Sequence, residues 1–126
     1  MITTYRKFGL VLLIALSVGF MQSCKNKEPS AIKIFVKSYA NQALPGVKVV
    51  IIGDVTSNPE TISYVDTVIT NESGFALFDV APHYEKGDKD YEVAYFDVIA
   101  ASTVQSGTGY VRSRIHTTAV ETVYIQ

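Results

Sequence analysis

The stretch "IKIFVK", residues 32–37, places a β-branched apolar residue at every second position. The same period of two recurs in "VKV", residues 47–49, which leads into an apolar run over residues 50–52. Alternation of this kind is typical of a strand with one face in a core. Residues 31–126 are rich in β-branched and aromatic side chains, and no window there keeps the i, i+3, i+4 apolar spacing of a helix. These features predict an all-β domain.

Turn-forming residues divide this domain into short segments. Pro45-Gly46, the run 71–74, the charged loop 85–90 and the glycine-containing run 106–109 each favour a chain reversal. Seven short strands separated by such turns predict an antiparallel Greek-key β-sandwich. The predicted strands are 31–39, 46–53, 62–70, 75–80, 90–104, 109–117 and 119–126. The predicted core residues include Ile34, Val36, Val49, Ile51, Phe78 and Val93.

The N-terminal residues have the organisation of a signal peptide. Arg6 and Lys7 provide a positively charged start, and an apolar run from Phe8 to Met21 follows. A helix that spans a bilayer needs about 20 apolar residues, so this shorter run favours a cleaved signal over a permanent anchor. We therefore expect residues 1–23 to be removed from the mature protein.

Cys24 is the single cysteine of the chain, and it follows shortly after the apolar run. A lone thiol cannot form an internal disulfide. Residues 21–24, "MQSC", resemble a bacterial lipobox, in which the cysteine becomes the first mature residue and carries acyl chains such as palmitate. The resemblance implies lipidation of Cys24, because two or three acyl chains anchor a protein stably to a membrane. The alternative is an ordinary secretory signal with an incidental cysteine.

A short tether follows the cysteine. Residues 24–30 are polar and include Pro29, so we expect them to connect the lipid to a folded domain over residues 31–126. In the sorting rule of such lipoproteins, an aspartate next to the lipidated cysteine would retain the protein in the inner membrane. Lys25 stands there instead, which favours the cell outer membrane.

Two segments of the domain resemble a known family. "ALPGVKVVIIG" (residues 43–53) and "DTVITNESGFALFDV" (residues 66–80) are similar to the carboxypeptidase regulatory-like domain of the prealbumin-like, or transthyretin-like, sandwich group. The resemblance implies a β-sandwich with turn glycines at Gly46 and Gly74. It also implies that two sets of side chains point inward in register, namely Ala76, Phe78 and Val80 against Val47, Val49 and Ile51.

No arrangement of residues predicts catalysis, a cofactor or a metal site. The chain has no Gly-x-Ser-x-Gly elbow, and we interpret His83, between Pro82 and Tyr84, as a loop histidine. Asp54, Asp88 and Asp90 could supply oxygen ligands for calcium, but their spacing and the neighbouring lysines favour a solvated loop. The formal net charge of −1 without basic clusters also argues against nucleic-acid binding.

The sixth predicted strand contains the one pattern that indicates recognition. Tyr110, Arg112, Arg114 and His116 fall on one face at a period of two, opposite Val111, Ser113 and Ile115. Arginine and tyrosine are enriched in binding surfaces, because a guanidinium pairs with carboxylates and a phenol both stacks and forms hydrogen bonds. The alternative is an ordinary solvated outer face.

Together these features predict a membrane-anchored envelope lipoprotein. We expect a non-enzymatic binding or assembly module whose β-sandwich docks on another envelope protein or an extracellular ligand. A small secreted hydrolase or carbohydrate-active enzyme is the alternative, and it would require a pocket that gathers at least two titratable side chains. A purely structural role would differ from the first hypothesis only by lacking an exposed binding face.

Overall fold

The computed structural model describes residues 28–86 and 91–126. The predicted signal peptide, the proposed lipidation site Cys24, the start of the tether, Asp88 and Asp90 all lie outside the described residues. The described strands are β1 (Ala31–Ser38), β2 (Lys48–Gly53), β3 (Val65–Ile69), β4 (Phe75–Asp79), β5 (Val93–Ala101), β6 (Ser106–Arg114) and β7 (Thr118–Ile125), with one short helix, α1 (Ala81–Glu85), between β4 and β5. No helix of these residues is long and apolar enough to cross a membrane.

The strands are divided between two sheets. Sheet I has the strand order β4-β1-β7, and sheet II has the order β3-β2-β5-β6. Buried apolar side chains from both sheets form a single hydrophobic core. The predicted all-β, sandwich-like architecture is therefore confirmed.

The pairing of β1 with β7 corrects the prediction of a wholly antiparallel sandwich. These strands run parallel, in register from Ala31 opposite Thr118 to Ser38 opposite Ile125, whereas the other strand pairs are antiparallel. Strands joined by a tight turn must be antiparallel, but strands joined by a long connection can be parallel. The connection between β1 and β7 contains all the other strands, so the local turn residues carry no information on their relative direction.

The core takes alternate residues from the strands, as the period of two predicts. Ile34, Val36, Val49, Ile51 and Phe78 are each 0% exposed, which confirms these core predictions. The inward sets implied by the family resemblance are also buried: Ala76, Phe78 and Val80 on one side, and Val47, Val49 and Ile51 on the other.

Val93 was wrongly predicted to lie in the core. The inward residues of β5 have the opposite parity, and they are Ala94, Phe96, Val98 and Ala100. Val93 therefore points outward with Tyr95, and it is only partly buried. The outward parity carries apolar side chains as well, but it also contains the exposed Asp97, whereas the inward parity is wholly apolar.

Glycines shape the two turns that the resemblance singles out. Gly46 has φ +73° and Gly74 has φ +79°, a left-handed conformation that glycine adopts without a steric penalty. A Cβ at Gly74 would come within 2.7 Å of the Ala43 Cβ, so the second turn also needs glycine for space. Asn71 stabilises this turn, because its Oδ1 accepts hydrogen bonds from the amides of Ser73 and Phe75 at 3.0 and 3.3 Å.

Candidate binding face

β6 presents three of the predicted recognition residues on the outer face of sheet II. Val111 and Ser113 are 3% and 0% exposed and point into the core, so the alternate residues Tyr110, Arg112 and Arg114 point outward. All three outward side chains are exposed. The register with β5 places Tyr110 opposite Asp97, Arg112 opposite Tyr95, and Arg114 opposite Val93.

His116, the fourth member of the predicted stripe, lies elsewhere. β6 ends at Arg114, and His116 occupies the turn before β7 with φ +59°. Its Nδ1 lies 2.9 Å from the carbonyl oxygen of Glu28, and its amide donates to Ser30 Oγ at 2.8 Å. His116 therefore contacts the segment that precedes β1 and is not part of the outer face of sheet II.

A hydrogen-bond network fixes the side chain of Tyr110. Its hydroxyl donates to Asp54 Oδ2 at 2.7 Å, and Asp54 Oδ1 accepts from the amide and the hydroxyl of Thr56 at 3.0 and 2.8 Å. The bond to Tyr110, followed by those from Thr56, lowers the pKa of Asp54. The same bond, with smaller effects of desolvation and neighbouring charge, raises the pKa of Tyr110 to about 12. The phenol therefore stays protonated, and the carboxylate ionised, throughout the neutral pH range.

The contact with Asp54 determines how the ring of Tyr110 lies. Asp54 follows β2, and its amide donates to the carbonyl oxygen of Tyr95 on β5 at 2.9 Å. Tyr110 therefore reaches from β6 across β5 towards the end of β2, so its ring extends along the sheet surface instead of projecting away from it. The ring stacks with that of Tyr95, with a centroid distance of 6.0 Å and an interplanar angle of 22°. The two rings form a platform that the protein holds in place.

Aliphatic side chains occupy part of the outer face of sheet II, which the register shows to include Thr67, Thr108 and Lys48 as well. Val65 and Ile69 on β3 are each 64% exposed, and Ile99 on β5 is 40% exposed. The register places Val65 opposite the half-buried Ile52 and Ile99 opposite the half-buried Val50, both on β2. Ile69 lies opposite Lys48. Outward faces of antiparallel sheets are commonly polar, so a connected apolar surface of this kind is informative.

The charges on this face are mainly basic. The charged side chains that the register places there are Lys48, Asp97, Arg112 and Arg114, and Asp54 lies at the rim. The whole chain has a formal charge of −1, so the excess of cations is local. Tyr95, opposite Arg112, and Asp54, the partner of Tyr110, were not predicted, because these residues become adjacent only when the strands of sheet II assemble.

His83 is a core residue, which corrects its interpretation as a loop histidine. It is 1% exposed, and its ring makes edge-on contacts with Tyr64, Tyr84 and Phe96 at centroid distances of 5.7, 5.0 and 5.4 Å. The buried Nδ1 has no hydrogen-bond partner among the described residues. Desolvation lowers the pKa of His83, so the imidazole is neutral near pH 7. Helix α1, with Pro82 in its first turn, places the ring in this aromatic shell.

Residues 28–86 and 91–126 include a shallow concave surface away from the outer face of sheet II. A shallow cavity of about 290 Å³ lies at the start of β1 and the end of β4, on sheet I, and the one titratable side chain in its lining is Asp79. Within these ranges no cluster of three or more His, Cys, Asp or Glu side chains could hold a metal ion. Asp54, considered above as a calcium ligand, instead accepts hydrogen bonds from Tyr110 and Thr56.

Comparison with known proteins adds no assignment to this geometry. No protein-family model matches the chain, and no curated protein matches it either.

Proposed function

We propose that the chain is a lipid-anchored, non-enzymatic binding module of a bacterial cell envelope that docks through the outer face of sheet II. Cys24 would carry the lipid, the outer membrane would be its location, and the ligand would be an envelope protein or an extracellular molecule. The function requires no cofactor and no catalytic group. A surface that positions side chains for contact is sufficient.

The observation that carries the binding role is the arrangement on sheet II. Tyr110, Arg112 and Arg114 are exposed beside a connected set of aliphatic side chains. Tyrosine and arginine dominate the energetics of binding surfaces, particularly where the side chain is already ordered before the partner arrives. Tyr110 meets that condition, because Asp54 and Tyr95 hold its ring.

The sequence of residues 1–24 supports the lipid anchor, and the contacts of β1 are compatible with it. Ser30 Oγ and the carbonyl of Glu28 contact His116, and the carbonyl of Thr117 accepts from the amide of Ala31. These bonds hold the chain in place just before β1. A domain attached in this way would lie close to the membrane surface, with both outer sheet faces open to its surroundings.

The finer assignment to a seven-stranded, Greek-key, prealbumin-like sandwich is part of the same proposal. It is supported by the resemblance in residues 43–53 and 66–80 and by the positive φ angles of Gly46 and Gly74. The distribution of strands between the sheets is also compatible with this assignment. Strands β1, β4 and β7 lie in sheet I, and strands β2, β3, β5 and β6 lie in sheet II.

The lipid anchor is tested by metabolic labelling with an isotope-labelled palmitate. The wild-type chain should incorporate label and fractionate with the outer membrane, and Cys24→Ser should lose both properties. Ser23→Ala is the matched control, because it keeps a small residue before the cysteine and should be processed and labelled normally. Label in Cys24→Ser, or its unchanged membrane fractionation after signal cleavage, would show that the anchor is assigned wrongly.

The docking face is tested by site-specific photocrosslinking in intact cells. A photoreactive residue placed at Thr108, an exposed residue on the outward side of β6 beside Tyr110, should form a discrete adduct after irradiation. The control position is Lys37, on the outer face of sheet I, which should form none. Equal adducts from both positions, or none from position 108, would contradict docking through sheet II.

A further inference from the structure

The platform formed by Tyr95 and Tyr110 on sheet II presents the face of a ring to a ligand, and not a side chain that projects from the sheet. Tyrosines that anchor protein–protein interfaces commonly insert into a pocket of the partner. Tyr110 is 45% exposed, but its hydroxyl is tied to Asp54 and its ring lies across β5 against Tyr95. Insertion would require breaking that hydrogen bond. A flat ligand that packs on the ring would not.

The electrostatics of an aromatic ring select one kind of flat ligand. The face of the ring is negative, so it attracts C–H groups that carry partial positive charge. The C–H groups of a pyranose ring have this property, because each carbon bears an oxygen. One side of many pyranose rings is flat and lined by such C–H groups, while the hydroxyl groups point outward to form hydrogen bonds.

The neighbouring charges select among carbohydrates. Arg112 and Arg114 are in line with Tyr110 along β6, and residues two apart on a strand are about 6.7 Å from each other. Each guanidinium can hold a carboxylate through two parallel hydrogen bonds. The carboxylate of Asp54 is occupied by donors of the protein itself, and Asp97, opposite Tyr110, can accept hydrogen bonds from hydroxyl groups.

These features deepen the proposed function, on which this step rests, by naming the ligand. We propose that Tyr110, Arg112 and Arg114 bind a carboxylate-bearing carbohydrate, an oligosaccharide of uronic acids that lies over β5 and β6. A pyranose ring packs on Tyr110, and successive carboxylates pair with the two arginines. Asp97 accepts from the hydroxyl groups.

The test measures binding of fluorescently labelled oligosaccharides by the full chain purified in detergent. The probes are oligogalacturonate and oligomannuronate, the methyl ester of the first, which keeps the sugar but removes its charge, and a polyglutamate peptide, which keeps charge without sugar. Fluorescence anisotropy should show tighter binding of an unesterified uronate than of its neutral ester or the peptide. Failure of both uronates to bind would overturn the inference.

Variants separate the contribution of the ring from that of charge. Tyr110→Ala should weaken uronate binding by about tenfold or more, as loss of a stacking or anchoring aromatic residue commonly does. Tyr110→Phe keeps the ring but removes its bond to Asp54, so its loss should be smaller. The matched control is Tyr124→Ala, since Tyr124 on sheet I is also 45% exposed and should not matter. Equal losses in Tyr110→Ala and Tyr124→Ala would refute the platform.

The arginines should account for the preference for a charged sugar. In the Arg112→Ala, Arg114→Ala double variant, the unesterified uronate should bind no better than its methyl ester. Should polyglutamate bind as tightly as the uronates and be insensitive to Tyr110→Ala, the surface recognises an acidic protein and the carbohydrate assignment is wrong. Crosslinks from position 108 that persist without uronate binding would overturn only this ligand, whereas loss of both would also overturn the proposed function.

Discussion

The outer faces of the two sheets follow the same alternating pattern, but their basic and aromatic side chains make different contacts. On sheet I, Lys33 Nζ lies 4.1 Å from the ring centroid of Phe75 and 5.1 Å from that of Phe35. The two phenylalanine rings also contact each other edge to face, with a centroid distance of 5.6 Å. On sheet II, Arg112 and Arg114 stand beside a tyrosine pair whose hydroxyl contact is made with Asp54.

This difference shows why an alternating pattern does not identify a binding surface. Lys33 lies over the rings of Phe35 and Phe75, so its charge and these two rings already have a partner within the protein. On sheet II the hydroxyl of Tyr110 is held by Asp54, while Tyr110, Arg112 and Arg114 remain exposed. A ligand can therefore gain more from sheet II, because the ordering of its tyrosine is already complete.

We expect the largest effect on stability from a substitution in the hydrophobic core between the two sheets. Phe78 is 0% exposed, and Phe78→Ala should lower the free energy of unfolding by about 3–5 kcal/mol through lost burial and the cavity it creates. Chemical denaturation followed by circular dichroism measures the change. Leu77→Ala is the control, because Leu77 is the 54% exposed neighbour on the outer face of sheet I, and it should change stability by about 0.5 kcal/mol or less. Similar losses in both variants would mean that Phe78 does not occupy the core.

The fold could be predicted from sequence wherever one parity of a strand is clearly apolar. In β1 the inward residues Ile32, Ile34 and Val36 alternate with two lysines and a phenylalanine, so the strand and its buried face were both evident. In β5 the parity of Val93 also carries Tyr95 and Ile99, which obscured the outward position indicated by Asp97, and the choice of Val93 was wrong. The parallel pairing of β1 with β7 depends on contacts between the ends of the domain, which no local pattern specifies.

An acid-dependent loss of stability should follow from His83, which packs on Phe96 of sheet II. Its pKa is lowered in the folded protein by desolvation, whereas in the unfolded chain it has the ordinary value of about 6.5. The unfolded state therefore binds the proton more readily, and stability falls as pH decreases below about 6.5. One such group changes the free energy of unfolding by at most about 1.4 kcal/mol per pH unit.

Chemical denaturation at several pH values between 7 and 5 tests whether His83 causes the loss of stability on acidification. His83→Phe keeps an aromatic ring and removes the titrating group, so it should show a smaller loss of stability on acidification than the wild-type chain. His116→Asn is the control, since it removes the other of the two histidines and should retain the wild-type dependence. Identical pH profiles for wild type and His83→Phe would rule out His83 as the source.

The candidate site was predictable only in part. Tyr110, Arg112 and Arg114 share a face because residues two apart on a strand always do, and the sequence shows this directly. The strand end at Arg114, which separates His116 from them, depends on the tight turn to β7. The partner of Tyr110 is Asp54, 56 residues away in the chain, and this pairing arises only when β2, β5 and β6 assemble. His83 is buried for the same reason, because its aromatic neighbours come from separate segments.

We expect the smallest effects on stability from removing the cationic side chains of the two outer faces, which compares sheet I with sheet II directly. Lys33→Ala should lower the free energy of unfolding by about 0.5–1 kcal/mol, because it removes a cation from two phenylalanine rings. The Arg112→Ala, Arg114→Ala double variant should change stability by about 0.5 kcal/mol or less, as expected for exposed side chains. Parallel urea titrations at low and high salt measure both changes.

Ligand binding should depend on the arginines and not on Lys33. The loss of binding in the arginine variant should be greatest at low salt, because exposed charges are then least screened. A loss of stability in the arginine variant equal to that of Lys33→Ala would show that the guanidinium groups make stabilising contacts within the protein. They would then resemble Lys33 and would not be free to bind a ligand.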